Sequence, residues 1–85
     1  MDFTKIDIEI LYVLKNYDMT SELKSYRIAD IIDSLEYKPA YYTVSKHIKD
    51  KLLTSGYISV GMRDSRAHTY YITKAGLEFL ASKEV

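Results

Sequence analysis

Apolar residues along this chain recur at helical spacing in four stretches and alternate in two. Ile6, Ile10, Val13, Leu14 and Tyr17 form the first stripe, widened by Ile8 and Leu11, and predict a helix from about residue 5 to residue 17. Thr4 is placed to cap it, with Asp7 three positions on as an imperfect capping box. An arc this wide belongs either to the centre of a core or to a face shared with a second subunit. Residues 18–24 are polar and read as a connection, with Leu23 a possible anchor for a short strand. Ser25 is then expected to cap a second helix whose apolar side is Tyr26, Ile28, Ala29, Ile31, Ile32 and Leu35, with Arg27, Asp30 and Asp33 outward.

Glu36, Tyr37 and Lys38 make the turn into a third helix, expected over residues 39–54. Pro39 suits a first helical turn, where its missing N–H has no partner in any case. Val44, Ile48 and Leu52 define its inner side, joined by Tyr41, and Gly56 stands where a left-handed cap is expected. The opposite side carries Tyr42, Lys46 and Lys49, flanked by Thr43 and Ser45. Tyr57-Ile58-Ser59-Val60 and Thr69-Tyr70-Tyr71-Ile72 alternate as strands around a polar tip, residues 61–68, that holds Arg63, Arg66 and His68. Thr73 caps a last helix from Lys74 to about Ser82, expected to bury Leu77, Phe79 or Leu80, and Ala81. Gly76 either weakens that helix or lets it pack closely.

The order helix, helix, helix, hairpin, helix predicts an α+β fold, a winged helix-turn-helix with three helices, a two-stranded β wing and a short C-terminal helix. Eighty-five residues suffice for one such domain, spanning 1–85, with a modest core. No stretch approaches the ~20 apolar residues of a membrane span. The first residues lack the basic and apolar regions of a signal peptide, and there is no cysteine, so a cytoplasmic location and no disulfide framework are expected.

Charge adds to this picture only through its distribution. The net charge is zero, yet residues 1–36 hold four basic against eight acidic groups and residues 37–85 hold eight against four. A phosphate-facing surface is therefore expected from the second part, with the first part turned away. Nine tyrosines against two phenylalanines supply rings that fill a core while keeping a hydroxyl for a partner.

Three segments carry a family likeness. Ser25-Tyr26-Arg27-Ile28-Ala29-Asp30-Ile31-Ile32, the run from Thr43 through Leu52-Leu53-Thr54-Ser55-Gly56-Tyr57-Ile58, and Tyr70-Tyr71-Ile72-Thr73-Lys74-Ala75-Gly76-Leu77-Glu78-Phe79-Leu80 resemble the PadR and MarR groups of transcription regulators. They are also similar to small winged-helix proteins of archaea and their viruses. The resemblance implies sequence-specific binding of double-stranded DNA and regulation of transcription. One departure is that those regulators continue into a longer C-terminal dimerisation helix, whereas this chain ends at Val85.

On this reading Tyr42, Thr43, Ser45 and Lys46 approach base edges or groove phosphates in the major groove, and Lys49 and Lys38 meet the backbone. Arg63, Arg66 and His68 belong to a wing lying on a flanking phosphate or minor groove. Double-stranded DNA and a second copy of the chain are the expected partners. No catalytic residue, metal, cofactor or small-molecule effector is expected: His47 and His68 have no third ligand nearby, and no Gly-rich phosphate loop or nucleophile motif is present. The competing reading is a winged helix that uses the same surface for a partner protein, without DNA.

Overall fold

The computed structural model describes residues 2–83. Helix α1 (Lys5–Asn16) begins as its sequence predicts: Thr4 is extended, and its N–H donates to Asp7 Oδ2 at 2.8 Å. At its other end Asp18 adopts φ 58°, and the N–H groups of Met19 and Asp18 close onto the carbonyls of Leu14 and Lys15 at 2.8 and 3.1 Å. That pair of bonds is a Schellman cap built on an aspartate, one of the few side chains tolerated in the left-handed region. Ile10, Leu11 and Leu14 have no exposed surface. The wide apolar arc of α1 is therefore largely taken up by the core, with Ile6, Ile8 and Tyr12 half-buried at its margin.

The chain departs from expectation after residue 24. Tyr26–Arg27 is a short strand, β1, and helix α2 (Ile28–Ser34) starts later than predicted, with Arg27 rather than Ser25 at its cap. Arg27 N–H donates to Asp30 Oδ2 at 3.1 Å, which closes the first turn. The hydroxyl of Ser25 is committed elsewhere, to Thr69 Oγ1 at 2.8 Å. Leu23 anchors nothing and is 82% exposed. Strand β1 pairs antiparallel with the return strand of the wing, Tyr26 opposite Tyr70 and Arg27 opposite Thr69. Two residues contain no alternation to read, and their partners lie more than forty positions away. The two-stranded wing is thus part of a three-stranded sheet in which β1 flanks the return strand of the wing.

Strands β2 (Ile58–Val60) and β3 (Thr69–Ile72) form the hairpin, in a register that sets Ile58 opposite Ile72. Both side chains point into the core beside Ile31, Val44, Ile48 and Leu52. Helix α4 (Lys74–Lys83) is capped by Thr73, whose Oγ1 accepts from Gly76 N–H at 3.1 Å. Gly76 is present because the helix lies directly on the Tyr57 carbonyl, where a Cβ would collide. Leu80 is fully buried, but Ala81, expected inside, is exposed. Phe79 stacks on Tyr57 with ring centroids 4.5 Å apart, and Phe3 tilts against both.

Candidate nucleic-acid interface

The third helix of the sequence reading is present in modified form. Pro39 and Ala40 stay outside it, because extended backbone is needed to cross from the end of α2, and Ala40 at ψ 145° serves as cap. Helix α3 is Tyr41–His47, and it widens into a π-helical turn over Ile48–Leu52. Leu53 N–H reaches back five residues to the Ile48 carbonyl at 2.9 Å, the bond that defines such a turn. The segment closes at Gly56, φ +79°, with Tyr57 N–H on Leu52 O and Gly56 N–H on Leu53 O, both at 3.1 Å. This is the Schellman geometry in which glycine has no Cβ penalty.

Val44, Ile48 and Leu52 are wholly buried, as the periodicity requires. Tyr41 is not on their side: it is 61% exposed, because the first helical residue lies beyond the edge of the core. Tyr42 is 74% exposed, Lys46 and Lys49 are exposed, and Thr43 and Ser45 are half-exposed beside them. Helix α3 and its π turn therefore present the five side chains expected on the outer and flanking positions.

Two basic residues of this region are committed to the protein itself. Lys38 Nζ donates to the carbonyls of Asp33 and Leu35, at 2.7 and 2.9 Å, and so caps the C-terminal end of α2. Lys51 Nζ turns inward to Asp7 Oδ2 at 3.3 Å and to the Asp2 carbonyl at 3.1 Å. Asp7 has no exposed surface and also meets His47 Nδ1 at 2.7 Å. Burial acts to raise the Asp7 pKa, but the Thr4 backbone N–H, the His47 ring and the Thr4 hydroxyl together outweigh it and hold the carboxyl below its ordinary value.

The wing tip is a tight turn. Asp64 and Ala67 exchange backbone bonds of 3.1 and 3.0 Å around Ser65, which sits at φ 62°. Arg63 Nη2 donates to His68 Nε2 at 3.2 Å, and Arg66 is exposed. Arg27 pairs with Asp30 Oδ1 at 3.1 Å, and its Nε lies 3.6 Å from Asp64 of the wing. The hydrogen bond and charge of Asp30, with the charge of Asp64, push the Arg27 guanidinium up from its ordinary value.

Between the start of α2, the first turn of α3 and the wing lies a cleft of about 230 Å³. Lys49, Arg66 and His68, three of the predicted site residues, line it together with Arg27 and Tyr41. Tyr42, Thr43, Ser45 and Lys46 are not among its lining residues, and Lys38 and Arg63 do not border it either. Sequence reasoning missed Arg27 and Tyr41. Arg27 precedes Lys49, Arg66 and His68 by more than twenty residues, and Tyr41 fitted the apolar stripe by spacing; only the strand pairing and the helix start assign them here.

A recognition-type helix, a basic-tipped hairpin and a three-stranded antiparallel sheet around one core define a winged helix-turn-helix protein. No family model matches the chain. The DNA-binding protein TubR of Clostridium botulinum C phage is 34% identical over 82 residues, covering 96% of this chain and 98% of that protein. The chain belongs to the TubR family. The solution structure of the DNA-binding TubR fragment from Clostridium botulinum superposes with a TM-score of 0.73 at 33% identity, over 96% of this chain and 98% of that one. TubR from Bacillus megaterium pBM400 gives 0.75 at 25% identity, over 91% and 81%. RosR of H. salinarum, 20% identical, shares the fold with a TM-score of 0.78 over 96% of this chain and 71% of its own. The expectation drawn from the PadR and MarR likeness extends to the fold; the family shown is TubR.

Proposed function

We propose that this chain binds double-stranded DNA in a sequence-specific manner and regulates transcription, with α3 and its π turn in the major groove and the wing on the flanking backbone or minor groove. The observation that carries the reading is the exposure of Tyr42, Lys46 and Lys49 on the outer side of this segment, with Lys49 also lining the cleft that holds Arg27, Arg66 and His68. The name of the phage relative, a DNA-binding TubR, supports it. Tyr42, Thr43, Ser45 and Lys46 take the base edges and groove phosphates, while Lys49, Arg27 and Arg66 take the backbone. Arg63 contributes affinity more than sequence choice, since the minor groove separates A·T from G·C and little more. Lys38 joins the interface only by releasing its two carbonyls. The role is one of binding, calls for no cofactor, and places the protein where the DNA is, in the cytoplasm. The DNA-bound form is proposed to be a homodimer, because one helix covers only a few base pairs.

The test is titration of a duplex over a range of salt. Lys46→Ala and Lys49→Ala, both exposed, are expected to melt like the wild type and to bind more weakly, each lost phosphate contact lowering the salt slope by about one. Wild-type affinity and slope in both variants would remove α3 from the interface. No duplex binding at low salt by the unaltered protein would favour a protein-interaction module instead.

A further inference from the structure

A buried carboxylate lies outside the proposed contact surface. Asp7, on α1, has no exposed surface, and four donors converge on its carboxylate. Two are local, the Thr4 N–H at 2.8 Å and the Thr4 hydroxyl at 3.1 Å. The other two come from 40 and 44 positions along the chain: His47 Nδ1 at 2.7 Å and Lys51 Nζ at 3.3 Å. One carboxylate thus ties the central helix of the core to the DNA-facing element. His47 ends α3 and Lys51 lies in the π turn, so the two anchors lie about one turn apart and together define both the rotation and the axial position of the segment. The apolar contacts of Val44, Ile48 and Leu52 hold it down but are not directional, whereas hydrogen bonds to an ionised carboxylate are. Lys46 adjoins His47 in the chain, and Lys49 lies between the two anchors, so any rotation that released the tie would swing both lysines.

We propose that Asp7 is a positioning residue for DNA recognition, acting through His47 and Lys51 to hold α3 in the rotation that presents Tyr42, Lys46 and Lys49 outward. This rests on the DNA-binding reading above.

The experiment compares a duplex selected by the wild-type protein from a random pool with a scrambled duplex of equal composition, at matched salt, for the wild type, Asp7→Asn and His47→Gln. Asparagine keeps the shape and an oxygen for Thr4 but lacks the charge that orients the other two donors. The ratio of selected to scrambled affinity is expected to fall about tenfold in both variants, the scale of one lost hydrogen bond to a charged group, with scrambled binding and its salt slope unchanged. A role confined to stability lowers both affinities by the same factor and leaves the ratio intact, and that result would overturn the proposal. So would tighter binding with a steeper slope in Asp7→Asn, because freed Lys51 and His47 would then be reaching phosphates and Asp7 would be a mask rather than a positioner. His47→Gln, at a half-exposed side chain, carries the test if Asp7→Asn does not fold. A wild-type protein that selects no sequence and binds neither duplex overturns the DNA-binding reading itself, before any variant is compared.

Discussion

Asp7 keeps its charge inside the protein, and this has a consequence for stability separate from DNA. Its folded-state pKa lies below the ordinary 3.8, because the bonds from Thr4 and His47 outweigh the cost of burial. A depressed carboxylate pKa contributes stability that is fully present above the unfolded value and is lost as pH falls through the folded one. Wild-type protein is therefore expected to lose melting temperature on acidification below about pH 4, and Asp7→Asn to lose less over the same interval. Thermal melts at neutral and acid pH check this; parallel declines in the two proteins would mean that the buried carboxylate does not contribute. Asp7→Ala is the harsher change, expected to cost about 3–5 kcal/mol, because it leaves His47 and Lys51 facing an empty site. At the same scale, Lys38 shows how one side chain can hold two possible roles. Its spacing beside α3 suggested a backbone contact, and its ammonium instead closes the carbonyls of Asp33 and Leu35. Nothing in the local sequence separates these, since a lysine after a helix end suits both.

Among the elements, α4 offers the cleanest contest between local preference and packing. By propensity alone, Gly76→Ala would stabilise a helix by about 1 kcal/mol. The added Cβ would fall on the Tyr57 carbonyl and against Ile72, and overpacking of this kind costs about 1–3 kcal/mol. The variant is expected to unfold at lower urea concentration than the wild type with an unchanged slope. A higher midpoint would mean that α4 shifts away from the β2 entry at little cost. The same contest explains the recognition segment. Period made its inner face legible, and Gly56 ends it as expected, but the π turn over residues 48–52 has no signature in the sequence.

At the scale of the whole molecule, a four-charge excess of acid in residues 1–36 faces an equal excess of base in residues 37–85. Folding does not keep these halves apart. Asp7 and Arg27 both cross over, one to bond His47 and Lys51 of the α3 segment and the other to join the basic cleft. The end of α4 offers little to a dimer seam: Leu80 has no exposed surface, and Phe79 is half-buried beside Phe3 and Tyr57. One copy measures 38 × 25 × 22 Å, a size comparable to the ~34 Å spacing of half-sites that a dimer would read. Sedimentation equilibrium at micromolar concentration is expected to give twice the 9.9 kDa chain mass, and a mass of one chain would end the dimer proposal.

Local pattern was enough for α1, for the inner face of α3, for β3 and for α4, because each shows its period over several residues and carries its own caps. It was also enough to expect the winged helix, whose element order is itself a sequence property. Strand β1, the burial of Asp7, the inward turn of Lys51 and the cleft around Arg27 and Tyr41 lay beyond it. Each of these depends on a partner more than twenty residues away. Hydrogen bonds and charges of that kind are settled by which groups the folded core brings within about 3 Å, a distance at which spacing along the chain no longer carries information.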